Sequence, residues 1–207
     1  MRARGSVLPL AMLMLLAMGI IALSLSRQLK EEARGAGQLA DAGLAFHLAE
    51  LGLRGGEAAA LRLDAELEGH AAPESWFTAS CGREANPAGW RTGLCSLGLP
   101  VQARLAEGRQ AVLHPCGAAR QHIWQAAMAQ GRCPKVMSGE LAWANPHYVI
   151  ELLVTAHRQD EATGRVYRIT ARGWGRQPES VATLQSVYWT PHGAAGRRLA
   201  WQTLPEY

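Results

Sequence analysis

Lysine is almost missing from this chain: of 21 basic residues, only Lys30 and Lys135 are lysines and the remaining 19 are arginines. The formal net charge is +4, yet no basic run is longer than Arg197-Arg198. A nucleic-acid surface needs cations gathered into a stripe, so this scatter argues against nucleic acid as a partner. Catalytic signatures are absent too. There is no G-x-S-x-G, no H-E-x-x-H and no glycine loop closed by Gly-Lys. The seven histidines are dispersed, and His47 lies between apolar Phe46 and Leu48. The acidic pairs Glu31-Glu32 and Asp160-Glu161 are sequence neighbours, which point apart on a helix and are solvated in a loop. No C-x-x-C occurs, and His114 and His122 lack the spacing of a zinc site, so neither a metal nor a cofactor is implied. The chain reads as a protein without chemistry of its own.

Phenylalanine is also scarce, at two residues, against seven tryptophans: Trp76, Trp90, Trp124, Trp143, Trp174, Trp189 and Trp201. With so little phenylalanine, most of these rings are needed to fill a core, and one or two between Trp189 and Trp201 are candidates for a partner surface. The 207 residues, 48% hydrophobic and 18% charged, have room for one membrane element and one folded domain of roughly 150 residues.

Charge is absent altogether from Val7 to Leu25, a run of nineteen residues. As a helix it spans about 28 Å, close to the ~30 Å hydrocarbon thickness of a bilayer. Arg2 and Arg4 ahead of it favour a cytoplasmic N-terminus, although Arg27, Lys30 and Arg34 beyond it reduce the asymmetry. Everything after Leu25 then lies outside the cytoplasm. A cleaved secretory signal is the alternative, with small-x-small sites at Ala22-Leu23-Ser24 or Ser24-Leu25-Ser26, but such signals carry shorter apolar stretches of ~7 to 15 residues.

Proline is absent from Gln28 to Arg54, and Leu44, Leu48 and Leu51 recur at i, i+4, i+7 beside Phe46, Ala49 and Leu53. This predicts an amphipathic helix continuing from the apolar one. Gly35, Gly37, Gly43 and Gly52 each cost roughly 1 kcal/mol relative to Ala in an isolated helix, so packing must hold the segment. Gly55-Gly56 is the predicted break, followed by a further helix over Glu57 to Leu67 that ends near Gly69 and Pro73.

The sheet is expected at about residues 146–190. Tyr148 to Thr155 reads as a strongly apolar strand, and His157 to Gly164 as a turn. Tyr167, Ile169 and Ala171 alternate with polar neighbours as in a half-buried strand, and Val181 to Tyr188 forms its hairpin partner. Together with the helix this is an α+β fold, with an antiparallel sheet covering the amphipathic stripe. Between helix and sheet, residues 73–145 are irregular, broken by Pro and Gly, with one helix predicted at Ala118 to Gln130. All four cysteines, Cys81, Cys95, Cys116 and Cys133, fall there. An even count outside the cytoplasm implies disulfides, in one of three connectivities. Sequential pairing, Cys81 with Cys95 and Cys116 with Cys133, closes the shortest loops and contributes about 3 kcal/mol per bridge in the chain-entropy model.

Three stretches resemble the PilX family of type IV pilus minor pilins: the short basic leader ending in Arg4-Gly5 before the apolar run, LAFHLAELGLR from Leu44 to Arg54, and the block from PHYVIELL (Pro146 to Leu153) to YRITARGWGRQPESVATLQSVY (Tyr167 to Tyr188). The resemblance implies a type IV pilin-like fold, with a long N-terminal helix that spans the membrane in its first half and packs on a C-terminal sheet. It divides the chain into a leader, 1–5, a membrane and filament-core segment, 6–26, an amphipathic segment, 27–54, and a head, 55–207. It further implies cleavage after Gly5 by prepilin peptidase and methylation of Ser6, where phenylalanine is usual. Its implied partners are other minor pilins, the major pilin, the inner membrane before assembly and a tip adhesin. Pilins usually carry glutamate at the fifth mature position, which here is Leu10. An unpaired carboxylate among apolar helices costs on the order of several kcal/mol, so its absence suits a subunit with no neighbour above it, at the tip. Pro9 falls in the first helical turn, where proline is tolerated. The competing class is a signal-anchored or secreted domain that recognises a glycan, nucleic acid or protein through Trp and Arg.

Overall fold

The computed structural model describes residues 7–79, 81, 93–96, 113, 120–121, 141–159 and 161–205. One helix, α1, runs Val7–Leu67, and a 3₁₀ turn follows at Pro73–Trp76. The strands are β1 Leu94–Cys95, β2 Arg120–Gln121, β3 His147–Gln159, β4 Ala162–Trp174, β5 Val181–Pro191 and β6 Arg197–Leu204. They form one sheet in the order β1-β3-β4-β5-β6, with the short β2 also on β3. From β3 to β6 every neighbouring pair is antiparallel, and β1 lies parallel on β3. The chain divides into two compact units, Met1–Ala40 and Asp41–Tyr207.

In the first unit the apolar side chains from Leu8 to Leu25 are exposed along their whole length. This part of α1 is long and apolar enough to cross a membrane. Nothing stands within 4 Å of a Cβ built at Gly19, Gly35 or Gly37.

In the second unit the rest of α1 lies on the sheet, and its buried stripe includes the predicted Ala49 and Leu53 but is displaced from the predicted row of Leu44, Leu48 and Leu51. The residues pressed against the strands are Ala45, Ala49, Gly52, Leu53, Gly56, Ala60, Leu63 and Leu67. Leu44 and Leu48 are half-buried and Leu51 is 39% exposed. Side-chain size decides this: the backbones approach too closely for a leucine at the centre of contact. A Cβ at Gly56 would stand 2.5 Å from the Ile169 methyl and 3.0 Å from the Tyr148 ring. From the other side, a Cβ on Gly173 of β4 would collide with the backbone of Ala45, Leu48 and Ala49. The predicted break at Gly55-Gly56 is therefore absent. These glycines stay helical because sheet contacts offset their poor propensity.

Around this seam Leu53, Leu63, Leu67, Trp76, Phe77, Tyr148, Ile150, Leu152, Tyr167, Ile169 and Leu184 close the main core, and Cys81, Cys95, Leu113, Val149 and Leu204 form a second buried cluster. Trp174 and Trp189 are buried, Trp143 is half-buried and Trp201 is exposed; Trp90 and Trp124 lie outside the described residues.

Three further differences concern boundaries. The stretch predicted as a turn from His157 to Gly164 is mostly strand: β3 and β4 stay paired through His157↔Gly164, Arg158↔Thr163 and Gln159↔Ala162. The charged run concealed this continuity, because a hairpin arm beyond the core has no apolar alternation to reveal it. The sheet also extends past residue 190 through β6, where the residues are exposed except Leu204. Within the helix predicted at Ala118 to Gln130, Arg120–Gln121 is instead a strand on β3, and the remainder lies outside the described residues.

The close seam yields a stability prediction. In the full chain in detergent, Gly173→Ala should lower unfolding stability by about 1–3 kcal/mol, because the blocking atoms are backbone. Gly43→Ala, at a helical site with open space around it, should be neutral or stabilising by up to ~1 kcal/mol. Urea denaturation followed by tryptophan fluorescence checks both.

Candidate assembly surface

Leu10 lies in the exposed apolar part of α1, three residues into the described chain, and Gly5 and Ser6 lie outside the described residues. At 3.6 residues per turn, Ala11, Gly19 and Ala22 fall within ~80° of one helix face, and Ala17 falls on another. Small residues on one face let a second helix approach closely in an apolar medium. No acidic residue interrupts this surface before Glu31. From Leu8 to Leu23 the surface is apolar throughout, with one flank of low relief.

Where α1 enters the head, Asp41 clasps the β4–β5 connection. Its carboxylate accepts the backbone N–H of Arg176 and bonds with the Ser180 hydroxyl and the backbone of Gln177. Gly175 packs directly on Asp41, and no side chain would fit between them. The Ser180 bond, reinforced by the N–H donors, holds the Asp41 carboxyl below the usual aspartate range.

The C-terminal end of α1 is fixed by a buried arginine. Arg165 of β4 donates to the Asp64 carboxylate at 3.0 Å and to the carbonyls of Asp64 and Leu67 at 3.4 and 3.3 Å. One guanidinium therefore satisfies two last-turn carbonyls and places positive charge at the negative end of the helix dipole. The Tyr167 hydroxyl donates to the same Asp64 oxygen at 2.7 Å, and burial, with this carboxylate beside it, pushes the phenol's pKa up. A paired buried charge of this kind adds little net stability, but removing one partner costs about 3–5 kcal/mol.

Two bidentate pairs extend the framework. Arg198 of β6 grips Glu57 of α1 at 2.7 and 2.9 Å, and Arg168 grips the fully buried Glu151 across β3 and β4 at 2.7 and 2.9 Å. Each arginine is held more firmly in its charged form by its carboxylate. Phe46 of α1 meets the Trp201 ring edge-on, with centroids 6.2 Å apart. Helix and last strand are thus joined at both ends.

Cys81 and Cys95 form a disulfide, and Cys95 belongs to β1, so the bond fastens that strand and the adjoining loop to the edge of β3. Cys116 and Cys133 lie outside the described residues. Among the described residues no group of histidine, cysteine or acidic side chains could hold a metal ion. The arginine pairs and the Asp41 clasp were not foreseen from the sequence. Isolated acids on a predicted helix gave no sign of partners 101 to 141 residues away.

A helix that is bare and apolar at first and then packed on an antiparallel sheet defines a type IV pilin-like subunit. The family model described as type IV pilus assembly protein PilX, C-terminal part, matches residues 63–190. The chain belongs to this family of pilus assembly components. Comparison with curated proteins and with solved structures gave no match.

The clasp predicts a pH dependence with a definite sign. A lowered carboxylate pKa stabilises the fold fully above the ordinary aspartate value of 3.8 and loses that contribution as pH falls through its folded value. Asp41→Asn should therefore be less stable than the wild type at pH 6, and the gap should narrow as pH falls below 3.8. Denaturation of both chains across pH 2.5–7, in the same detergent, measures it.

Proposed function

We propose that this chain is a minor pilin that primes assembly of a type IV pilus and resides at or near its tip, with a structural and not a catalytic role. The observation that carries this reading is Leu10, set on an apolar helix surface with no acid before Glu31. A carboxylate at this depth needs a cationic partner from a neighbouring subunit, and leaving it unpaired costs several kcal/mol. A subunit with leucine there enters a helix bundle without that partner, so it suits the first position, where no subunit stands above.

Before assembly the apolar part of α1 resides in the inner membrane with the head in the periplasm. Prepilin peptidase removes residues 1–5 after Gly5, and the new N-terminus is methylated at Ser6. The helix then leaves lipid for a bundle of like helices contributed by other minor pilins and the major pilin, with Ala11, Gly19 and Ala22 on the close-packing face. The disulfide and the arginine pairs keep the head intact outside the cell, where a tip adhesin is the further partner.

Mass spectrometry of the mature chain should find a methylated N-terminus at Ser6, and deletion of the gene should reduce surface filament number. An intact Met1 or a start near Leu25 contradicts the maturation, and unchanged filament number contradicts the priming role.

A further inference from the structure

The two edges of the sheet are treated unequally. On the β3 side, β1 pairs with Ile150 and Glu151, and β2 pairs with His147 and Tyr148. The Cys81–Cys95 bond and a bridge from Thr78 to Cys95 fasten this cover. Farther along β3 the pairing with β4 shifts register twice, between Leu152 and Val154 and between Val154 and His157. Such irregularities twist an edge away from further pairing. The β3 edge is capped along one part and blunted along the next.

Among the described residues, β6 has no strand on its outer side. Its one register shift faces its start, and Ala200 to Leu204 pair with β5 without interruption. Within Arg197–Leu204 there is no proline, glycine or lysine, the usual means of protecting an edge, and both charges stand at its beginning. Leu199 and Trp201 are 41% and 43% exposed. Among the described residues no strand meets the outward N–H and C=O groups of Ala200 to Thr203, and a regular, uncharged edge of this kind is chemically complementary to one kind of partner, another extended strand.

The direction of that strand follows from the head. Glu57 pairs with Arg198 and Phe46 touches Trp201, so β6 runs antiparallel to α1. Strands β3 and β6 are antiparallel to each other, being three antiparallel steps apart. Subunits anchored in one membrane enter their heads at the same end, so a neighbour of the same helix-on-sheet build presents its β3-type edge antiparallel to β6. This chain's own β3 edge is capped, so a second copy cannot supply it. We infer that β6 is a docking edge that receives, antiparallel, the uncapped first-strand edge of a different pilin-type subunit, and that the capped β3 edge ends the row. This inference rests on the assembly reading above and supplies its partner's chemistry. It concerns a strand beyond the matched residues 63–190.

The test places a short diazirine amino acid singly at Leu199, Trp201 or Thr203 of the full chain, in cells producing the filament, with Glu161 on the β3–β4 turn as control. After illumination, adducts are mapped by peptide mass spectrometry. The expected result is one partner subunit, with the attached residue number falling by two each time the probe site rises by two, and no such adduct from Glu161. Adducts without this descending order, adducts to a second copy of this chain, or no adduct from a variant that still supports filaments overturn the docking edge alone. Deletion that leaves filament number unchanged overturns the assembly reading and the edge together.

Discussion

The close approach of α1 to β4 is the constraint on which the rest of the head depends. With Gly56 against Ile169 and Tyr148, and Gly173 against the backbone of Ala45 and Ala49, helix and sheet meet at a spacing that leaves no room for larger side chains. Small residues occupy the line of contact, and the large apolar ones, Leu53, Leu63 and Leu67, close it along its length. Contact at this density converts a glycine-rich segment, poor in intrinsic helicity, into a stable element. It also sets the depth at which Asp64 and Glu57 meet their arginines, because each pair bridges the same two layers.

The two parts of α1 meet opposite demands with one secondary structure. From Leu8 to Leu25 every large apolar side chain is exposed, a surface stable only in lipid or among similar helices. From Asp41 onward the head provides a sheet for one face, a hydrogen-bonded clasp at Asp41 and ion pairs at Glu57 and Asp64. Asp41 marks the change, because its carboxylate holds the β4–β5 connection at the point where packing on the strands begins. Membership in the PilX family and the exposed apolar helix are consistent with one molecule that exchanges lipid for a helix bundle.

The broad architecture was legible in the sequence because it is written in patterns that single residues carry. The uncharged run identified the membrane-length helix, the alternation at Tyr167, Ile169 and Ala171 the central strand, and Val181 to Tyr188 its partner. The detail was less legible where a residue's role depends on a distant neighbour. Gly55-Gly56 reads as a break from local propensity alone, and only the opposing Ile169 explains why it is a contact. Leucines at helical spacing suggest the buried stripe, but steric exclusion centred it on Ala45 and Gly52 beside the expected Ala49. Exposed β6 lacks the apolar alternation that marks a half-buried strand, and Arg165 resembles any other arginine in an arginine-rich chain. Leu10 was legible only as a departure from the pilin pattern, and its environment, a bare apolar helix, is what gives that departure physical weight.

Hydrogen exchange of α1 amides in the full-length chain in detergent micelles tests most directly whether the small-residue seam holds the head together. Protection should begin close to Asp41, continue without interruption through Gly55-Gly56 and reach Leu67 at a level near that of β4, while residues 30–40, beyond the apolar run, exchange much faster. A local loss of protection at Gly55-Gly56, or a level from Asp41 to Leu67 no higher than that of residues 30–40, would contradict the account.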